Sequence, residues 1–187
     1  MLIQGSRLID IPVISMDSNT LLSQTVNPII NPYSLEILAY EVIGNMIGIK
    51  PCFIDINDII KINSDGFIII SKDSLISKEK NADIEKYYDL KFGLIGMKAI
   101  DQNNHKLGKI IDFTIESNSF IIQQINIKRP LIKSLGDTEL LINRKQIIEI
   151  TDKIIVVSSG EYRHESKLEK VKSSYVNPFR STSTSSD

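Results

Sequence analysis

The sequence carries nearly the same pattern twice, about 85 residues apart, and this internal repeat constrains the fold more than any other feature. The segment Leu22–Asn31 aligns with Leu107–Glu116, and Leu35–Val42 aligns with Phe120–Ile127. Two further pairs of apolar runs recur in the same order: Ile59–Asn63 with Ile147–Thr151, and Phe67–Ile70 with Ile154–Val157. This period is longer than the units of solenoid repeats, so it predicts two small domains of one fold.

The residue pattern of both halves is typical of β-structure. Short β-branched runs are interrupted by Asn, Asp, Ser, Gly and Pro, which predicts strands separated by turns. We expect a strand over Leu8–Ile14, and a hairpin across Asn63–Gly66, because Asp-Gly favours a tight turn. Alternation within Gly108–Ile115 indicates one buried and one wetter face. Small curled sheets with such faces protect their edges by closing, so we expect an all-β protein of two tandem small β-barrels.

Two segments outside the repeat have helical spacing. Ile84, Tyr87 and Tyr88 predict a short helix that begins near Asn81 or Asp83, capped by a polar side chain. A second stripe, in the C-terminal segment, predicts another helix: His164, Leu168, Val171 and Tyr175.

We therefore divide the chain into five parts. These are a first barrel (1–72), a linker with a short helix (73–92), a second barrel (93–158), a C-terminal helix (159–176) and a disordered tail (177–187). Each barrel has about 70 residues, which is near the lower limit for a self-sufficient core. We therefore expect the halves to pack on each other, on a helix or on a partner.

Composition narrows the functional classes. The 187 residues carry a net charge of −1 with acids and bases interspersed, which argues against a dedicated nucleic-acid binder. Cys52 is the single cysteine, so no internal disulfide can form, and we interpret it as a buried apolar residue. Neither a membrane-span-length apolar run nor a secretory signal pattern is recognised, so we expect a cytoplasmic protein.

Candidate catalytic and metal-binding groups are few. The two histidines, His105 and His164, lie in a predicted turn and on the predicted tail helix, without the partners that a zinc site or hydrolase triad needs. Asp55, Asn57 and Asp58 have the spacing of a polar turn and lack the remaining positions of an EF-hand. We predict no catalytic residues, no metal and no cofactor, and hence a protein that is not an enzyme.

Both halves resemble the PRC-barrel family, whose members include the cytoplasmic domain of the photosynthetic reaction centre H subunit. A similar barrel forms the C-terminal part of a bacterial small-subunit ribosome maturation factor. The resemblance rests on Gly5–Val13 and Met16–Leu22 in the first half and on Leu94–Phe113 in the second. The second half has the Leu-Gly pair and early Asp that the family favours, whereas Ser23 replaces that Gly in the first half. The resemblance implies two tandem PRC-type barrels that act in docking or assembly, with no shared catalytic residues.

The function predicted from these observations is non-enzymatic protein binding, with another protein or a second copy as partner. Two segments carry the candidate contact residues: Lys128, Arg129, Leu131, Ile132 and Lys133 in one loop, and Leu168 and Val171 on the tail helix. Two alternatives remain. One is an RNA-binding or ribosome-maturation accessory factor, which the near-neutral charge disfavours, and the other is a small-molecule sensor at the cleft between the barrels.

Overall fold

The computed structural model describes residues 1–45, 47–48, 50–63, 65–130, 139–151 and 154–158, and the backbone of Arg163–His164. These residues are mainly β-strand, with one α-helix, α1 (Ala82–Asp89). The strands before the helix are β1 (Leu2–Gln4), β2 (Pro12–Ser15), β3 (Leu21–Asn31), β4 (Glu36–Ile43), β5 (Cys52–Asp55), β6 (Ile59–Asn63), β7 (Gly66–Ile69) and β8 (Leu75–Ile76). The strands after it are β9 (Lys98–Asp101), β10 (Lys106–Glu116), β11 (Ile122–Lys128), β12 (Glu139–Asn143), β13 (Ile147–Ile150), β14 (Ile154–Val157) and β15 (Arg163–His164).

The two halves have the same strand order, as the repeat predicted. The first sheet runs β6-β7-β2-β3-β4-β5-β8, and the second runs β13-β14-β9-β10-β11-β12-β15. In both sheets one pair is parallel, β2 with β7 and β9 with β14, and the other pairs along these paths are antiparallel. Among the described residues the end strands of each sheet do not pair with each other, so two open sheets are present and not two closed barrels.

The tips of the two long hairpins meet in a reciprocal contact. The N–H of Ile37 donates to the carbonyl of Phe120 at 3.0 Å, and the N–H of Ile122 donates to the carbonyl of Leu35 at 2.8 Å. Leu35 and Phe120 also share the same unusual backbone conformation, with φ of +53° and +52°. A contact in which equivalent residues exchange roles is the signature of a two-fold relation, so the halves are related by a pseudo-two-fold axis.

One hydrophobic core runs through both halves. Tyr40 and Phe67 of the first half are completely buried, and Phe120 of the second half packs against both of them. The ring centroids lie 5.2 Å apart for Tyr40–Phe67, 6.4 Å for Tyr40–Phe120 and 6.3 Å for Phe67–Phe120, all edge-to-face. Such aromatic pairs stabilise beyond their buried area. The expectation that the small halves pack on each other is confirmed by this shared cluster.

The N-terminal segment crosses to the opposite half. β1 pairs antiparallel with the end of β10, with Ile3 opposite Ile115. Gly5 follows, and a Cβ there would lie 2.4 Å from the ring of Phe113, so only glycine permits this close approach. The crossing is fixed further by Ser6, whose hydroxyl donates to a carboxylate oxygen of Asp112 at 2.7 Å.

The helix predicted in the linker is present, and Asn81 caps it by accepting the N–H groups of Asp83 and Ile84. Although α1 leads into the second half, it packs on the first sheet. Ile84 is completely buried there with Phe53 of β5 and Ile29 of β3. The two halves therefore exchange segments. β1, which precedes β2 of the first half, joins the second sheet. α1, which precedes β9 of the second half, covers the first sheet.

Two predictions need correction. The strand predicted over Leu8–Ile14 begins only at Pro12, because Gly5–Leu8 forms a 3-10 turn and Asp10 has a φ of +58°. Arg163–His164 pairs with β12 as a short strand, not as part of a helix. The rest of the predicted C-terminal helix (159–176) and the tail (177–187) lie outside the described residues. Cys52 is buried as predicted, and this burial raises the pKa of its thiol.

Candidate functional site

His105 is the one histidine whose side chain lies within the described residues, and it is located at the turn between β9 and β10. Within the described part of the chain, no three His, Cys, Asp or Glu side chains come close enough to hold a metal ion. His105 is largely exposed, and its Nδ1 lies 2.9 Å from Oδ2 of Asp101. Asp101 also accepts the N–H groups of Asn103 and His105, both at 2.8 Å. Burial raises the pKa of Asp101, but these hydrogen bonds outweigh that effect and lower the pKa below its ordinary value. The cluster thus stabilises the turn between β9 and β10.

The predicted partner loop is only partly described. Lys128 is the last residue of β11 and is exposed, and Arg129 follows it half-buried. The other predicted contact residues lie outside the described residues: Leu131, Ile132, Lys133, Leu168 and Val171.

Lys128 belongs to a row of lysines that crosses three neighbouring strands. Lys109 of β10 is directly opposite Lys128 of β11 on one side and Lys98 of β9 on the other. Directly opposite residues of antiparallel strands point to the same face, with Cβ atoms about 4.5–5.5 Å apart. All three side chains are exposed. We call Lys98, Lys109 and Lys128 the lysine row.

The lysine row concentrates positive charge without neutralising it. Within the described residues none of its three ammonium groups is within ion-pair distance of a carboxylate, and Glu139 opposite Lys128 is the nearest acidic residue along the ladder. Like charges directly opposite each other destabilise a sheet. The first half has Pro12, Gln24 and Ile43 at these positions, so the fold does not require lysine there.

One end of the first sheet exposes a group of large apolar side chains. Four large side chains are each more than half exposed there: Met16 (57%), Leu21 (55%), Ile43 (55%) and Ile70 (53%). Met16 and Ile70 follow the parallel strands β2 and β7, Leu21 begins β3, and Ile43 ends β4, so all four lie at one end of the sheet. We call these four residues the apolar rim.

The register of the two sheets shows what stands at the equivalent positions of the second half. Ile43 is opposite Gln24 as Lys128 is opposite Lys109, and Leu21 is opposite Ile14 as Lys106 is opposite Ile100. The complete set of second-half equivalents is polar: Gln102, Lys106, Lys128 and Ser158. The apolar rim is thus a property of the first half and not of the fold.

A groove of about 610 Å³ adjoins the apolar rim. Leu21 and Ile43 line it together with the Leu22–Gln24 stretch of β3 and the loop residues Gly44 and Asn45. Among the described lining residues Lys50 alone carries a charge. The groove can therefore accept an apolar side chain from outside with little desolvation of charge.

A larger cleft of about 1000 Å³ lies between the halves. Its walls are the β1 segment and β6, and the tip of the β10–β11 hairpin, Ser117 to Phe120, forms its end. Isoleucines provide much of its surface, and Arg7 and Lys61 are its charged residues. A cleft between the halves is the geometry that the small-molecule alternative requires.

Comparison with known proteins adds no assignment. No protein-family model matches the chain, and no curated protein is significantly similar to its sequence. In the described residues, none of the helical structure has the length and apolar character needed to cross a membrane.

The sequence predicts Lys128 as a contact residue but does not indicate the surfaces around it. The lysine row joins residues from three strands, and its members become neighbours only through the register. The apolar rim could have been found from the repeat, because the alignment of Leu22 with Leu107 already sets Leu21 against Lys106 and Ile43 against Lys128.

Proposed function

We propose that the protein is a non-enzymatic binding module of two tandem β-sheet units that resemble PRC-type barrels, and that it docks on another protein through the apolar rim. The observation that carries the proposal is the contrast at equivalent positions. Four apolar side chains are more than half exposed in the first half, and polar residues occupy the same positions in the second. Folding alone does not account for the apolar set, because the second half adopts the same strand order without it.

The chemistry of the partner follows from the rim and its groove. Large apolar side chains that converge on a groove are typical of binding hot spots. The matching surface should present one or two apolar anchors, and it should not be strongly basic because Lys50 lies beside the groove.

The test makes the first half resemble the second. The variant Leu21→Lys with Ile43→Lys introduces the residues that Lys106 and Lys128 show to be compatible with these positions. Since both side chains are exposed, we expect the free energy of unfolding to change by less than about 0.5 kcal/mol. The matched control is Ile148→Lys with Leu90→Lys, two residues also more than half exposed but on strand β13 and directly after α1.

Tagged wild type, rim variant and control variant are compared by quantitative mass spectrometry after purification from the native cells, and by sedimentation. A protein that wild type and control retain at fixed stoichiometry, and that the rim variant loses, supports the proposal and is then titrated in purified form. A self-association lost only in the rim variant identifies the partner as a second copy. Identical binding by all three proteins contradicts the proposal.

The lysine row favours a second candidate, which is binding of RNA. Three exposed lysines at adjacent strand spacing can contact successive phosphates, and such contacts weaken steeply with salt. The variant Lys98→Gln, Lys109→Gln, Lys128→Gln should weaken binding of a single-stranded RNA and flatten its salt dependence. The control Lys72→Gln, Lys80→Gln, Lys145→Gln has the same change of charge at other exposed positions. Equal affinity of the two triple variants contradicts this candidate.

A further inference from the structure

Arg144 bridges the two halves on one side of the pseudo-two-fold axis, and the cleft between the halves lies on the other side. The 3-10 turns Ile56–Asp58 and Arg144–Gln146 are equivalent, each capped by the residue before it and each leading into an edge strand. On one side Nη2 of Arg144 donates to the carbonyl of Ser34 at 2.7 Å, and this bond joins the turn to the opposite hairpin tip. On the other side Ile56 stands at the position of Arg144 and lines the open cleft.

The cleft is lined by both apolar and polar residues, and its charged side chains are cations. Ile3, Ile11, Ile56 and Ile59 line it, and Phe120 is a buried residue at its end. The described lining residues include two exposed cations, Arg7 on the 3-10 turn after β1 and Lys61 on β6, and no carboxylate. A volume of about 1000 Å³ is in the upper range for small-molecule sites.

An added peptide strand fits this cleft poorly, although two strand edges border it. β6 has an irregularity between Ile59 and Lys61, where Ile60 is an extra residue against β7. A bulge and a lysine on an edge strand are both features that prevent strands from adding to an edge. On the other wall β1 has only three residues.

We propose that the cleft binds a small amphipathic anion, an apolar chain that ends in a carboxylate or a phosphate. The apolar chain lies against the isoleucines, and the anionic group is paired with Arg7 and Lys61. This site is separate from the apolar rim and the lysine row, and it does not depend on either of them having the function proposed above.

The experiment measures binding of decanoate and decyl phosphate by calorimetry, below the concentrations at which they form micelles, with decan-1-ol as the uncharged reference. We expect one anion per chain and weaker binding of the alcohol. The variant Arg7→Gln with Lys61→Gln should weaken binding of both anions by about tenfold and leave the alcohol unchanged, because two exposed ion pairs are lost. Whichever anion binds more tightly identifies the headgroup.

A second variant tests the volume of the cleft. Ile56→Arg places the side chain of Arg144 at the equivalent position, where it would extend toward the hairpin tip and fill the space. Binding of all three ligands should be lost. The control Lys72→Gln with Lys80→Gln should bind as wild type does. Melting curves show that each variant is folded, and if Ile56→Arg is not, the double variant decides the question.

The proposal is overturned if wild type binds neither anion at millimolar concentration, or if folded Ile56→Arg binds them as tightly as wild type. It is also overturned if the charge control weakens binding as much as Arg7→Gln with Lys61→Gln, since the effect is then one of net charge.

Discussion

The two halves share their strand order but differ in the residues that they expose. Their strand order is the same, and the residues at the hairpin tips exchange equivalent hydrogen bonds. At one end of the sheets, however, the first half exposes Met16, Leu21, Ile43 and Ile70, whereas the second has polar residues at the equivalent positions: Gln102, Lys106, Lys128 and Ser158. Because the second half shows what the fold tolerates at each position, a difference at exposed equivalent positions reflects the surface's own role and not the needs of folding.

The contacts between the halves also differ at equivalent positions. Arg144 joins its turn to Ser34 on one side, while Ile56 leaves a cleft on the other. Equivalent positions thus make a hydrogen bond between the halves in one case and line the cleft in the other. The pseudo-two-fold relation allows each half to serve as a control for the other, and three pairs of variants use this.

The largest expected effect is a loss of unfolding free energy that tests whether the two halves unfold together. Phe120 belongs to the second half but packs on Tyr40 and Phe67 of the first. Phe120→Ala should therefore lower the free energy of unfolding by about 3–5 kcal/mol, and both halves should still unfold in one transition. Urea unfolding followed by circular dichroism measures the loss, and hydrogen exchange reports each half separately.

The control for this variant is Tyr33→Ala, at the other hairpin turn, where the side chain is 82% exposed. Its effect should be below about 0.5 kcal/mol. Faster exchange confined to the second half in Phe120→Ala would mean that the shared core does not couple the two units.

A smaller effect is expected where glycine in one half replaces serine in the other. Gly108 has a φ of +153°, and a Cβ there would lie 2.0 Å from the carbonyl oxygen of Lys128. Gly108→Ser, which copies Ser23 of the first half, should cost at least about 2 kcal/mol. The reverse change Ser23→Gly should cost no more than about 1 kcal/mol. Thermal unfolding of both variants measures the asymmetry, and equal costs would show that the two backbones do not differ at this position.

The smallest effect concerns Tyr40, whose equivalent in the second half is Ile125. The hydroxyl of Tyr40 is buried without a hydrogen-bond partner among the described residues, so Tyr40→Phe should raise the free energy of unfolding at pH 7 by about 1 kcal/mol. The control is Tyr33→Phe, which removes an exposed hydroxyl.

Burial also raises the pKa of Tyr40 above its ordinary value of 10.0. Above pH 10 the unfolded chain releases this proton while the folded chain keeps it, so the wild type should lose about 1.4 kcal/mol per pH unit from this group alone. Urea unfolding between pH 8 and 11 should show a shallower decline for Tyr40→Phe than for Tyr33→Phe. Parallel declines would mean that the hydroxyl is solvated in the folded state.

The features predicted from the sequence are those with local causes. Asn81 gives α1 its cap and Asp65-Gly66 turns the β6–β7 hairpin, so both elements could be predicted from their own residues. The shared strand order followed from the repeat. The pairing of β1 with β10 could not be predicted, because a strand of three residues has no pattern that selects a partner more than 100 residues away. A cleft between the halves was part of the small-molecule alternative, but its lining residues depend on which turn meets which hairpin tip.

The crossing of β1 has a consequence for the order in which the molecule can form on the ribosome. Leu2–Gln4 must wait for residues 114–116, which at about 5–20 residues per second emerge roughly 5–20 seconds later. During that interval the first half lacks Phe120 in its core, and the N-terminal strand has an unpaired edge. A nascent chain that ends before β10 therefore leaves the edge of β1 unpaired, where a chaperone or a neighbouring nascent copy can bind.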